Sequence, residues 1–425
     1  MSAALLRRIM QDYAACPTRR PGMTDHQHAA FLDIAACQTA ACGLHDEVCD
    51  HCGDRRQVPN TCGNRACPLC QAGARARWVA ERDAELLPVG YAHIVFTLPS
   101  ELRALIHAFP RVLLGLLMRA AADAVTWLAA QTRYLGAEVG IISVLHTWKR
   151  DLNWHPHVHL LVTAGGWDAV TGRWVDTPLP TRRGRGAFFL PIDPLRAAFQ
   201  RRFRRLLLRA YAAGAFHRDL DLAAVFPSLA HARALRRHLD ALLTRRWVLR
   251  IKPPSGSPEI LLRYLGRYIN RVAISPGRVH AYDGTTVTFD GKGERFTVPA
   301  DTFIQRFAQH VLPPGFVRIR FCGLWATRHR GAKLAAARDW LAAHGRRRLV
   351  PETSATGPTM TTRSTQVLAT RPPQATPGDP CPHCGQGVYR RQPGGHRPRR
   401  AERQRLLRLM LAHRTTTPGS ATTPA

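Results

Sequence analysis

The sequence predicts an α+β protein: an antiparallel-sheet body with flanking helices, preceded by a small Cys-rich zinc-binding domain and followed by a disordered basic tail. Three observations predict it. Seven of the eleven cysteines lie between Cys37 and Cys70. Between residues 78 and 345, β-branched and aromatic runs alternate with Ala- and Leu-rich stretches at helical spacing. From about residue 351 the text turns to Thr, Pro and Ser, which cannot bury a core.

Four regions follow: a basic helical lead-in (1–30), a zinc-binding domain (31–76), a body (78–345), and a mobile Pro/Thr-rich basic tail carrying a Cys-x2-Cys pair (346–425). Within the body, Tyr91–Leu98 reads as a strand closed by Pro99. Glu101–Arg133 is helical, with Pro110 as a kink or break. Val139–Trp148 is strand-like, and a short polar turn joins it to the run HPHVHLLVTAGG, which suggests an antiparallel pair. Pro194–Ala212 and Leu229–Arg245 look helical and very basic. Trp247–Lys252 is a short strand ended by Pro253-Pro254. Pro258–Asn270 opens with helix-start residues, and Arg278–Val298 alternates around Asp-Gly turns as a small meander.

Charge narrows the partner. The 61 Lys and Arg stand against 29 Asp and Glu, a formal +32, which calls for a polyanion: nucleic acid or an acidic membrane surface. No apolar run reaches the ~18 residues of a membrane helix, and residues 1–22 lack a signal-peptide pattern. The expectation is a soluble, cytoplasmic, nucleoid-associated protein, in which clustered cysteines point to metal rather than disulfides.

Cys49-x2-Cys52 and Cys67-x2-Cys70 each place two thiolates on a tight turn, and the two turns together suggest a closed, structural Zn²⁺ site. Cys37, Cys42, His45 and Cys62 remain, enough for a second zinc or for buried thiols. Cys381-x2-Cys384 is half a site without an evident second half. Cys16 and Cys322 stand alone.

His155, His157 and His159 alternate in WHPHVH, so on a strand they share one face. Packing three imidazoles together without a partner is costly, and neutral imidazole is a common metal ligand. Pro156 places the start of the regular strand near itself, which favours His157 and His159 as ligands. His146 on the preceding strand is the choice for a third, with Glu138 and His93 as alternatives. Such a site leaves positions open for water and a phosphate oxygen. In ILLRYLGRYINR, Tyr264 and Tyr268 share a helix face, and Arg263, Arg267 and Arg271 repeat beside them. The tyrosines suit packing or, beside guanidinium groups, contact with a phosphodiester.

The segments CGNRACPLCQ, HIVFTLP, VLHTWKRDLNWHPHVHLLVTAGG, RRWVLRIKPP, LLRYLGRYINRVAIS and HVLPPGFVRIRFCGLWATRHR together resemble the insertion-sequence ninety-one family of transposases. These blocks run in order over roughly residues 31 to 335, and His157-Val158-His159 matches the signature of the wider His-hydrophobic-His nucleases. The resemblance implies an antiparallel core with these histidines on a central strand, binding Mg²⁺ or Mn²⁺. It implies that Tyr264 or Tyr268 attacks DNA to leave a 5′-phosphotyrosine, and that the partners are single-stranded insertion-sequence ends and target DNA. The zinc domain would help recognise those ends. A plasmid replication initiator or relaxase, and a non-catalytic DNA-binding remnant, are the alternatives. The resemblance fixes neither the third metal ligand nor the leading tyrosine.

Overall fold

A computed structural model describes residues 2–16, 22–71, 78–82, 85–177, 190–216, 222–255, 273–326, 330–346 and 379–416. The chain opens with two helices, α1 (Ser2–Ala15) and α2 (Asp25–Ala36). Thr24 and Gln27 close a capping box at the start of α2, satisfying backbone N–H groups the helix leaves open. A hairpin follows, β1 (Leu44–Cys49) and β2 (Arg55–Pro59).

The body is built on β3 (Tyr91–Thr97), α3 (Arg103–Ala108), α4 (Pro110–Ala129), β4 (Gly140–Trp148) and β5 (Trp154–Thr163). Pro110 sits at the start of α4, where its missing N–H costs nothing. A small ribbon, β6 (Gly165–Asp168) and β7 (Arg173–Asp176), precedes α5 (Ile192–Ala212) and α6 (Ala232–Leu243). Then come β8 (Leu249–Ser255), the meander β9 (Val279–Tyr282), β10 (Thr286–Asp290) and β11 (Arg295–Pro299), and α7 (Ala300–Ala308). The remaining elements are β12 (Ile319–Gly323), α8 (Arg330–Ala343), β13 (Tyr389–Arg391) and α9 (Arg400–Thr416).

Five antiparallel strands form the main sheet in the order β12-β4-β5-β3-β8, which puts β5 at its centre. Side chains alternate across it. Ile94 and Phe96 of β3, Ile141 and Leu145 of β4, and Val158, Leu160 and Val162 of β5 bury against α3, α4, α5 and α6. The opposite face takes the alternate residues. Tyr91, Ile142 and Leu161 pack with Trp325 and α8 at one end, and the other end carries the histidines. Helix α4 is apolar and long enough by composition to cross a membrane, but it is mostly buried as the central helix of this layer.

Two strand boundaries differ from the sequence reading. Strand β5 begins at Trp154, not Pro156, because His155 and Pro156 form a bulge: His146 pairs with His157 and Trp148 with Trp154, leaving two residues opposite Thr147. A proline without a ladder N–H is tolerated there. Strand β8 runs through Pro253 and Pro254 to Ser255, since it is an edge strand needing partners on one side only.

The largest difference is at the two ends of the chain. The lead-in is part of a second core, in which Leu6, Met10 and Tyr13 of α1 meet α2, the meander and α7; Phe31 and Phe307 stack edge-to-face at 5.4 Å. Residues 379–416, read from composition as tail, are folded onto this same unit. Strand β13 pairs antiparallel with β1, and Leu407 of α9 is fully buried. Leu407 packs into the second core, and Tyr389 is buried beside Cys49 and Cys381.

Candidate functional site

The exposed end of the sheet face opposite α4 holds a cleft of about 620 Å³. The two-residue period of β4 and β5 puts His146, His157 and His159 on this face, and the pairing of His146 with His157 sets them side by side. One ring nitrogen of each lies within 4.8 Å of the others. His157 donates from Nδ1 to the His155 carbonyl at 2.7 Å, which fixes its tautomer and leaves Nε2 for a metal. His93, on β3, meets His159 differently: its Nε2 lies 2.8 Å from His159 Nδ1, and the two rings stack 4° from parallel. That contact orients His159 from behind, so His93 lies outside the three-histidine cluster. Glu138 also lies elsewhere, accepting from Lys333 Nζ at 2.6 and 2.8 Å. His155 lines the cleft beside His157.

Burial favours the neutral form of four of these imidazoles, His93, His155, His157 and His159. It pushes His93 down to about 4, helped by the positive charge of Lys252, and His155 down to about 4, helped by His157 and Lys149. His157 is lowered by burial, partly offset by its bond to the His155 carbonyl. His159 lies well below the usual histidine range, through burial first and then the neighbouring His146 and His157. Neutral nitrogen lone pairs are what a cation requires. Around them the cleft is basic: Lys149, Arg150, Arg250, Lys252, Arg278 and Lys292 line it, against Asp151 and Glu294. The sequence reading missed Arg250 and Lys252. The alternation of β8 was a signal for them, but nothing indicated that β8 pairs with β3. The site therefore joins a cation-ready histidine cluster to a surface suited to phosphates.

The thiols are grouped differently from their order along the chain. Cys67 and Cys70 gather with Cys37 and Cys62, not with Cys49 and Cys52. The β1–β2 hairpin separates the two Cys-x2-Cys pairs, and the loop after β2 returns Cys62, Cys67 and Cys70 to the end of α2, where Cys37 stands. Cys62 Sγ and Cys70 Sγ are 3.8 Å apart, matching the edge of about 3.8 Å in a tetrahedron of thiolates ~2.3 Å from zinc. The Cys62 N–H donates to Cys37 Sγ and the Asn64 N–H to Cys62 Sγ. Four thiols so close cannot all ionise alone. Cys37, Cys67 and Cys70 drive the Cys62 thiol far up, while Cys37, Cys62 and Cys67 hold Cys70 far down. A divalent cation removes that conflict, and the donor set fits structural Zn²⁺.

The other set proposed from sequence, Cys37, Cys42, His45 and Cys62, is not gathered. Cys42 is buried, donates to the Ala36 carbonyl and has its thiol pushed up to about 11 by burial, while His45 pairs with Glu47 at 3.3 Å. Cys49 and Cys52 instead face Cys381 and Cys384. Tyr264, Tyr268, Arg263, Arg267 and Arg271 lie outside the described residues.

Comparison with known proteins agrees with both parts. Residues 5–98 match a family described as a transposase zinc-binding domain, and residues 140–333 one described as a putative transposase. A putative transposase of Sinorhizobium fredii, y4qJ, is 41% identical over 346 residues, 80% of this chain and 83% of that one. The transposase for insertion sequence element IS801 of Pseudomonas savastanoi pv. phaseolicola is 32% identical over 319 residues, 72% of each chain. No solved structure matches. The protein is thus a transposase with an α+β body and a zinc-binding domain. It belongs to the insertion-sequence ninety-one family.

Proposed function

We propose that this transposase nicks and rejoins single-stranded DNA at the ends of its insertion sequence, through a 5′-phosphotyrosine intermediate, driving rolling-circle transposition in the cytoplasm. The observation that carries the reading is the convergence of His146, His157 and His159 on one sheet face inside a basic cleft. These three histidines hold a divalent cation, Mg²⁺ or Mn²⁺, which supplies the charge that polarises the scissile phosphate. Arg250 and Lys252 bind the flanking phosphates, and His93 keeps His159 in place.

Tyr264 or Tyr268 is the nucleophile. Its phenolic oxygen bonds to phosphorus, the P–O3′ bond breaks, and the departing oxygen takes a proton to become a 3′-OH. A tyrosine hydroxyl ionises near 10, so Arg263, Arg267 and Arg271 assist by stabilising the phenolate and the DNA backbone. The tyrosine segment follows Ser255 at the end of β8 and precedes Ala273, whose carbonyl accepts from the cleft-lining Arg278 at 3.4 Å. This connectivity supports delivery of a tyrosine to the histidines. A second tyrosine permits a second strand transfer, and target DNA is the acceptor.

The test is His157→Ala. It removes metal-dependent nicking of labelled end oligonucleotides and leaves their binding intact. Normal nicking by this variant contradicts the metal assignment.

A further inference from the structure

We propose that Cys49, Cys52, Cys381 and Cys384 bind a second Zn²⁺, a clasp that fastens residues 379–416 to the N-terminal zinc-binding domain. The family match for that domain ends at residue 98, so it does not include the C-terminal pair. All four sulfurs lie within 4.8 Å of one another. Across the two chain segments, Cys49 Sγ is 3.8 Å from Cys384 Sγ, and Cys52 Sγ is 3.7 Å from Cys381 Sγ. Both values are edges of a zinc–thiolate tetrahedron, about 3.8 Å, and far from the ~2.05 Å of a disulfide.

The two half-sites are built alike. Each reads Cys-x2-Cys-Gly, with the glycine at positive φ, 73° at Gly53 and 66° at Gly385. The N–H of Gly53 donates to the Cys49 carbonyl at 3.2 Å, and that of Gly385 to the Cys381 carbonyl at 2.9 Å. Backbone N–H groups also point at sulfur: His51 and Cys52 donate to Cys49 Sγ at 3.4 and 3.5 Å, and Gly387 to Cys384 Sγ at 3.4 Å. Such donors stabilise thiolates over thiols.

The surrounding structure brings the halves together with little clearance. A side chain at Gly387 would place its Cβ 2.5 Å from Cys49 Sγ and 2.6 Å from His51 Cβ, so only glycine lets the C-terminal backbone come this close. Asp50, between the first two ligands, accepts from the Val388 N–H at 2.8 Å and from Arg390 Nε at 2.9 Å. Strand β13 pairs with β1 over only three residues, a short ladder that a metal reinforces. The four thiolates leave no position open, so the ion is structural.

The full-length chain purified from zinc-supplemented cells tests the clasp by zinc content and by alkylation of native thiols. The expected result is two zinc ions per chain, falling to one in Cys381→Ser/Cys384→Ser. In that variant Cys49 and Cys52 become as reactive as free thiols, while Cys37, Cys62, Cys67 and Cys70 stay protected. Gly387→Val keeps every ligand but crowds Cys49, and is expected to lose one zinc at a lower chelator concentration than the unaltered chain. Two zinc ions retained in the double variant, or one zinc in the unaltered chain with Cys381 and Cys384 freely alkylated, overturns the proposal.

Discussion

His157 shows how much one residue's place depends on its neighbours. The alternation of β5 turns it toward the cleft, pairing with β4 sets His146 beside it, and the His155 carbonyl engages its Nδ1, which leaves Nε2 as the nitrogen to offer a cation. All three clustered donors are imidazoles, and no carboxylate joins them among the described residues. Nitrogen donors favour a transition-metal ion over Mg²⁺. Nicking is therefore expected to saturate at a Mn²⁺ concentration about ten-fold or more below that for Mg²⁺. Equal requirements in a metal titration would mean that a carboxylate completes the site. A second prediction concerns His310, buried between Thr147 and the Leu152 carbonyl and lowered by burial to about 4. Unfolding lets it take up a proton near its ordinary value of about 6.5. Its contribution to stability is thus complete above that value and is lost as pH falls toward 4. Melting curves between pH 7 and 4 should show a steeper loss in the natural chain than in His310→Gln, and parallel slopes would refute the assignment. The histidine site was legible in sequence because alternation has one consequence on a strand. His93's supporting position was not, since it depends on β3 pairing with β5.

At the scale of elements, the cysteines show where reading along the chain stops. Both N-terminal Cys-x2-Cys pairs were visible, but spacing alone cannot say which pairs meet. The hairpin sends Cys49 and Cys52 toward a partner more than 300 residues away, while Cys67 and Cys70 return to α2. Pro253 and Pro254 misled for a similar reason, because a strand's position at a sheet edge is a tertiary fact. Two predictions belong here. Cys67→Ser removes the zinc held with Cys37, and with it on the order of 10 kcal/mol of folding free energy. Loss of one zinc and of the domain's protease resistance is expected, whereas unchanged zinc content and melting would contradict it. Asp33 is only 4% exposed and binds Arg403 and Arg400, both at 2.8 Å, joining α2 to α9. Asp33→Ala leaves Arg403 largely buried without its partner and is expected to cost about 3–5 kcal/mol in denaturant unfolding. A loss below about 1 kcal/mol would mean that α9 docks without it.

For the whole molecule, the formal charge of +32 is put to use where the cleft gathers six cationic side chains around the histidines. Single-strand binding should weaken steeply with salt, and Arg250→Ala and Lys252→Ala should each lower the slope by about 0.7. An unchanged slope would remove those residues from the phosphate contacts. The zinc-binding domain and the body are joined by more than chain connection: Arg65 donates to the Leu312 carbonyl at 3.0 Å, and Gln27 Nε2 to that of Ala308 at 2.9 Å. A domain docked this way can hold a bound DNA end at a fixed distance from the cleft. The most direct test of the central claim is a nicking assay. Labelled single strands from the element's own ends are incubated with the full chain and Mn²⁺ or Mg²⁺, then denatured and separated. The account predicts a metal-dependent, protein-linked label that is absent from His157→Ala and from the Tyr264→Phe/Tyr268→Phe double variant. No linked label at any end, from a chain that carries its zinc and binds DNA tightly, would contradict it.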